Sequence, residues 1–450
     1  MKREYQIFMD AIIKQSSLMN DALDYIWKNP ELGYKEWKTS AYLEDKFKGL
    51  GYVLTKAENI PGFIAEYDTG VEGPTIAIIG ELDALRCATH PDADSETKAV
   101  HACGHAIQTA VLLGIAAALR KLHVAQGLCG KIRFMAVPAE ETIDLEYREQ
   151  LVQKGTIRYM AGKIEFLYRG LFDGVDMAMM FHAATEQKCL FKITKGSNGC
   201  ITKHFEYYGV AAHAGGEPHM GINALYAASL GLEACNALRE TFQEKDYVRY
   251  HPIINQAGVA ANAIPAMASL DTYVRAASLP AMLAVNKKIN RAIGASAAAL
   301  GAKVTIYDRP GNLPLVCDKN LTDGVEKIIE DIFGTNQTIS DEWCTQSTDM
   351  GDISSVMPVI QHHCMGAVGT QHGEDFYIAD REKALINPAV VLLCMVHDLL
   401  KDNAVYAKRV IKEYKPVFSS KQEYFQAIDK IESRRELVQY IGNGEAVINY

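Results

Sequence analysis

The sequence has no basic stripe, no cysteine framework, no long apolar run, no internal repeat and no low-complexity linker. Each absence closes off a class of answer. Acidic residues outnumber basic ones, 55 to 46, for a formal net charge of -9. No Lys/Arg-rich face offsets this, which argues against nucleic acid or an anionic membrane as a partner. Such a charge serves solubility. The ten cysteines are dispersed without regular spacing in a chain of 450 residues. That usage fits free thiols in a reducing cytoplasm better than disulfides. The longest apolar stretch, Ala110 to Leu119, falls short of the roughly 18 residues a membrane span needs and reads as a buried helix. The opening MKREYQIFMDAIIKQSS scatters charge and lacks the apolar core of a secretory leader. The expectation is a cytoplasmic protein.

What is present is an ordinary globular composition, 48% hydrophobic and 22% charged, in a chain too long for one core. Residues 75–80 (TIAIIG), 131–137 (KIRFMAV) and 175–181 (VDMAMMF) read as buried strands, with a helix over 106–122 between the first two. Continuous apolar strands separated by helices predict an α/β domain on a mostly parallel sheet covered on both faces. The middle of the chain changes character. A strand over 200–209, a helix over 222–240, paired strands over 250–258 and 266–276, a helix over 280–300 and a strand over 303–308 give the order β-α-β-β-α-β of a ferredoxin-like α+β domain. It reads as an insertion, because patterns of the first type resume after Pro314. The division predicted is residues 1–190 with 311–450 for the larger domain and 191–310 for the insert. From Val410 onward a charged helix pattern reads as a packed appendage.

Residues able to bind metal follow the apolar strands. Glu81, Asp83 and Cys87 come after the first, Glu140 and Glu141 after the second, and His182 after the third. The intervening helix opens on His101-Ala-Cys103-Gly-His105. In open α/β sheets, sites form beyond the carboxyl ends of the strands, so these groups should share one crevice. Thiolate and neutral imidazole are good ligands, and a helix N-terminus would favour the thiolate. Taken singly each signal is ordinary: Cys103 a buried thiol, the glutamate pair a solvated turn, His182 a core histidine. Three clusters after successive strands are harder to explain that way. His372, in the small-residue loop GAVGTQHGE, is a further candidate.

The stretches GELDAL, HACGH, VPAEE, GVDMAMMFHAA, YYGVAAHAGGEPHMGINAL, AANAIPAMASLDTYVRA, STDMGDISSVMP and GTQH together resemble the co-catalytic metallopeptidase and aminoacylase family. That family includes carboxypeptidase G, the plant auxin-conjugate amidohydrolases and the bacterial p-aminobenzoyl-glutamate hydrolases. The resemblance is nearest to its cysteine-bridged amidohydrolase branch. It implies two divalent ions per chain (zinc, manganese or cobalt) bridged by Cys103, one held by His105 and His182, the other by Glu141 and His372. It further implies Glu140 as general base, Asp83 behind a ligand histidine, and His213 on the scissile carbonyl, often from a partner subunit. Asn262 and Arg275 fall where the family's lid meets the substrate carboxylate. The inserted domain becomes a lid and homodimer interface. The implied activity is amide hydrolysis of an N-acyl amino acid or a p-aminobenzoyl-glutamate-like substrate. A dipeptidase or carboxypeptidase of the same fold is the alternative, and a binding protein without turnover is disfavoured by the intact ligand set. The chain departs from the family pattern at Glu81 and Ala106, both usually Asp, and at Ala183, often Pro.

Overall fold

A computed structural model describes residues 2–450 except 122, 123, 187, 342 and 444. It divides into two compact units: Met1–Gly196 with Val316–Trp343 and Asp352–Val417, and Ser197–Leu315 with Cys344–Gly351 and Phe418–Tyr450.

The first unit is α/β. Its sheet strands in chain order are β1 (Leu54–Lys56), β2 (Phe63–Asp68), β3 (Thr75–Glu81), β4 (Lys131–Val137), β5 (Met177–Ala183), β6 (Phe191–Thr194), β7 (Thr338–Asp341) and β8 (Val359–Cys364). They lie side by side as β1-β2-β4-β3-β5-β8-β6-β7. The sheet is mixed. The run β4-β3-β5-β8 is parallel, as is β6-β7, while β1-β2, β2-β4 and β8-β6 are antiparallel. Every residue of β3 is buried, as expected of a strand covered on both faces. Helix α1 (His105–Leu119) packs on β3 and β5 and is buried along its whole length. The predicted last turn of this helix includes Leu122, which lies outside the described residues. The segment Glu382–Leu400 is apolar and long enough to cross a membrane, yet 83% of its apolar window is buried inside the protein, so it is a core helix.

The second unit is built on an antiparallel sheet. Its order is Arg249–Tyr250, Met267–Ala276, Gly199–Tyr208, Lys303–Asn312 and Ser433–Glu436, with Ile253–Gln256 also paired to Met267–Ala276. Burial alternates along Gly199–Tyr208, the signature of a sheet with one covered face. Helices Ala224–Ala237 and Leu279–Ala299 cover that face, and Phe205, Tyr207, Leu270, Val304, Ile289 and Ile293 form the core between. The C-terminal stretch departs from the expected charged helix. The helix Val405–Glu413 runs into it and Lys421–Asp429 is helical, but Ser433–Glu436 joins the sheet edge with Thr305 opposite Glu436. Tertiary pairing overrides weak local preference in such a strand.

Candidate metal centre

Strands β3, β4 and β5 run parallel, so their carboxyl ends open on the same edge. At that edge β3 ends on Glu81, and the chain leaves through Asp83. Beyond β4, Ala139 takes φ +58°, a left-handed conformation rare for alanine. The turn is held by buried groups: Glu36 Oε1 accepts the Ala139 N–H at 2.8 Å. The Arg148 guanidinium donates to the carbonyls of Glu141 and, at 2.7 Å, Met160. The chain is therefore not extended at Glu140-Glu141, and strand alternation does not separate the two carboxylates. Both approach His105, with donor atoms within 4.8 Å of one another. Gly104 is the N-cap of α1 at φ +92°, where a Cβ would stand 2.5 Å from that of Ala183. Glycine is thus required between Cys103 and His105. His372 arrives on the loop after β8, also left-handed at φ +63°, with its N–H on the Ala102 carbonyl at 2.9 Å.

These elements bring together Cys103, His105, Glu140, Glu141, His182 and His372. Cys103 Sγ lies 3.3 Å from His182 Nε2 and 3.3 Å from His372 Nε2. His372 Nε2 stands 3.2 Å from Glu141 Oε1. Cys103 is thus common to two donor clusters, one with His105 and His182, the other with Glu141 and His372. Asp83 sits behind both: Oδ1 is 3.1 Å from His105 Nδ1, and Oδ2 accepts the Glu141 N–H at 2.8 Å. Cys87 is not among these clusters. His372 is half-exposed and Glu140 partly exposed, whereas Cys103, His105 and Glu141 are buried.

Electrostatics follow from that burial. Burial first, then Glu141, pushes the Cys103 thiol well up. Burial thus opposes the thiolate that the helix N-terminus is expected to favour. Burial opposes the Glu141 carboxylate, but His372 and then His105 outweigh it and hold it low. Burial likewise opposes charge on His105, and Glu81 with Cys103 and Asp83 reverses the balance upward.

The sequence marks Glu81 at the end of β3 but gives no sign of the groups around it. Lys163, on α2 (Gly162–Tyr168), is wholly buried and ion-paired to Glu81 Oε1. Gln108 donates to Glu81 Oε2 at 2.7 Å. No periodicity marks Lys163, Gln108, Glu36 or Arg148 as inward-facing. The remaining candidates belong to the second unit. His213 is exposed, and its Nδ1 accepts the N–H groups of Gly215 and Gly216 at 3.2 and 2.9 Å. Its neighbour across an isolated bridge is Ala263, and the Ala214 N–H donates to the Asn262 carbonyl at 3.0 Å. Asn262 therefore shares the His213 loop region. Arg275 does not: it lies opposite Cys200, near the other end of Met267–Ala276.

Residues 77–398 match the family described as Peptidase family M20/M25/M40. Over 399 residues the chain is 27% identical to one of the two subunits of the p-aminobenzoyl-glutamate hydrolase of Escherichia coli strain K12, covering 86% of this chain and 77% of that one. It is also 27% identical over 371 residues to the Xaa-Arg dipeptidase of Mus musculus, covering 78% and 77% of the two chains. Among solved structures, a dinuclear metal binding peptidase of family M20 from Bacillus subtilis superposes with a TM-score of 0.65 at 20% identity, covering 89% of this chain and all of that one. With a family match over most of its length, the chain belongs to peptidase family M20/M25/M40 and is a hydrolase of amide or peptide bonds.

Proposed function

We propose that the chain hydrolyses the amide bond of an N-acyl amino acid or p-aminobenzoyl-glutamate-like substrate, using two divalent ions per chain. The observation that carries this reading is the pair of donor clusters sharing Cys103. Their chemistry fits such ions. His105 Nε2 and Glu141 Oε1 are buried and carry no hydrogen bond, an arrangement costly in a protein unless something else satisfies them. Sulfur, imidazole and carboxylate donors suit zinc, manganese or cobalt. Cys103, His105 and His182 would hold one ion, and Cys103, Glu141 and His372 the other, with Asp83 fixing the His105 ring. When bound, the ions supply Lewis acidity, activating water and polarising the amide carbonyl.

The protein's own groups do the rest. Glu140 is close to the donors yet reaches solvent, which suits a base that takes a proton from water and returns it to the leaving amine. With Nδ1 of His213 accepting two backbone N–H groups, the neutral ring carries its proton on Nε2, ready to donate to a developing oxyanion. Asn262 and Arg275 would bind the substrate carboxylate. His213 and Arg275 lie towards opposite ends of a strand; from Met267 to Arg275 is about 26 Å of extended chain at roughly 3.3 Å per residue. A small substrate touching both therefore favours two copies of the second unit and a homodimer. The edge strand Ile253–Gln256, with Ile253 and Ile254 exposed, is a surface such a copy would cover. Ten unpaired cysteines support a cytoplasmic setting. A dipeptidase remains the second reading, favoured by the relative named Xaa-Arg dipeptidase at equal identity.

The test is a panel of N-acyl amino acids, p-aminobenzoyl-glutamate and dipeptides offered to metal-reconstituted protein. Turnover of the first two classes over dipeptides is expected, abolished by chelation. Glu140→Gln should keep both ions and lose about a hundredfold or more in kcat. Glu141→Gln should lose one ion. Exchanged phenotypes would reverse the two assignments, and chelator-resistant turnover would end the metal reading.

A further inference from the structure

The buried pair Lys163–Glu81 has no part in the mechanism above. Burying an ammonium and a carboxylate together is costly, and an apolar pair in the same space is often as stable or more so. Something beyond stability should account for it, and the position of Glu81 suggests what.

Donor atoms bound side by side on one ion, each at about 2.1 Å, stand roughly 3.0–3.4 Å apart. The assigned donors already keep that spacing. It is 3.3 Å for Cys103 with His182, 3.3 Å for Cys103 with His372, and 3.2 Å for His372 with Glu141. Glu81 keeps it as well: its Oε2 lies 3.1 Å from His105 Nε2. The contact is not a hydrogen bond, since His105 Nε2 is buried and makes none. The Glu81 oxygen lies beside the ring nitrogen without bonding to it. One of the Glu81 oxygens also lies within 4.8 Å of a Glu140 oxygen. Its carboxylate cannot swing away. Lys163 holds Oε1, Gln108 donates to Oε2 at 2.7 Å, and the Gln108 side-chain oxygen accepts the Glu81 N–H at 3.1 Å.

We propose that Glu81 is an additional ligand, through Oε2, of the ion assigned to His105 and His182, and that Lys163 is the positioning residue that holds its other oxygen. This rests on the dinuclear reading and extends it. The ion would have four protein donors (Cys103, His105, His182 and Glu81) before any water or substrate. A hard oxygen and a coordination number above four favour manganese or cobalt over tetrahedral zinc at that position. The Lys163 charge offsets the added carboxylate, so the extra ligand shapes the geometry without adding net negative charge.

The test uses Co2+, whose visible absorption is strongest in four-coordinate sites. Full-length wild type and Glu81→Gln are loaded with Co2+ and followed by elemental analysis, visible absorption and circular dichroism. Wild type should bind two ions. Glu81→Gln should bind one of them at least tenfold more weakly, and at saturating Co2+ its visible band should intensify as the coordination number falls. Lys163→Met should keep both ions but shift the band, because the freed oxygen of Glu81 changes its hold. Glu81→Gln removes the carboxylate charge that faces a buried ammonium; if it does not fold, the double variant Glu81→Leu/Lys163→Met is read in the same way. Two ions with an unchanged band in a folded Glu81 variant would overturn this inference alone. A wild-type band in Lys163→Met would remove Lys163 from it. A wild-type chain that binds no Co2+ would overturn the dinuclear reading, and this with it.

Discussion

At the scale of single residues, the site depends on backbone conformations that most side chains resist. Gly104 at φ +92° is the clearest case. Alanine there would add about 1–2 kcal/mol of left-handed strain and about 1–3 kcal/mol of overpacking against Ala183. Gly104→Ala should therefore lower stability by about 2–5 kcal/mol and weaken metal binding, because Cys103 and His105 flank it. Chemical denaturation and elemental analysis of the same preparation would check both, and a variant that keeps its metal and its melting point would refute the requirement. Ala139 and His372 occupy similar conformations without glycine's freedom. Non-glycine strain of that kind clusters at functional sites. Much of this level was legible in the sequence. Cys103, His105, Glu140, Glu141, His182 and His372 carry metal-binding chemistry at a strand end, a helix start or a small-residue loop, and the structure gathers all six. Lys163, Gln108, Glu36 and Arg148 were not legible. Their side chains look solvent-facing by type, and only their three-dimensional partners explain their burial.

At the scale of elements, what could be read depended on how much local pattern survives tertiary packing. The all-apolar run of β3 and the alternation of Gly199–Tyr208 announce their environments directly, and the observed bounds differ from the predicted ones by a residue or two. The strand Ser433–Glu436 (SRRE) announces nothing. Charged residues suit an outer strand, where they discourage further pairing, and they erase the apolar signal. A second feature was equally hidden. Lys203 and Asp308 face each other across neighbouring strands of the second unit, both buried and ion-paired. Asn286 accepts from Lys203 at 2.5 Å, and Asn286 and Asn290 donate to Asp308 at 2.9 and 3.2 Å. Breaking a buried pair strands a charge, whereas removing both charges need not. Lys203→Met and Asp308→Leu should each cost about 3–5 kcal/mol in urea unfolding, and the double variant far less than their sum. Additive losses would mean the two groups are not coupled.

At the scale of the whole molecule, a shared site makes a claim about assembly. If His213 acts across a dimer, His213→Ala and Glu140→Gln should each be nearly inactive, yet a subunit-exchanged mixture should recover about a quarter of wild-type turnover. Half of the dimers are then mixed, and each has one intact site of two. Exchange demonstrated without recovered turnover would rule out the shared arrangement. The second unit also depends on residues distant in sequence. Leu437 and Val438 are buried in its core, the Leu437 N–H donates to the Val304 carbonyl at 2.8 Å, and Ser433–Glu436 covers the edge of Lys303–Asn312. Removing Phe418–Tyr450 should bare that edge and produce large particles in light scattering; a truncated protein of unchanged size would show that the edge needs no cover. The same feature bears on how the protein is made. The covering strand emerges from the ribosome more than a hundred residues after the strand it protects, a delay of roughly 6–24 s at about 5–20 residues per second. During that interval the nascent sheet presents an unfinished margin, so a chaperone that shelters it should matter more to the yield of this protein than to its final stability.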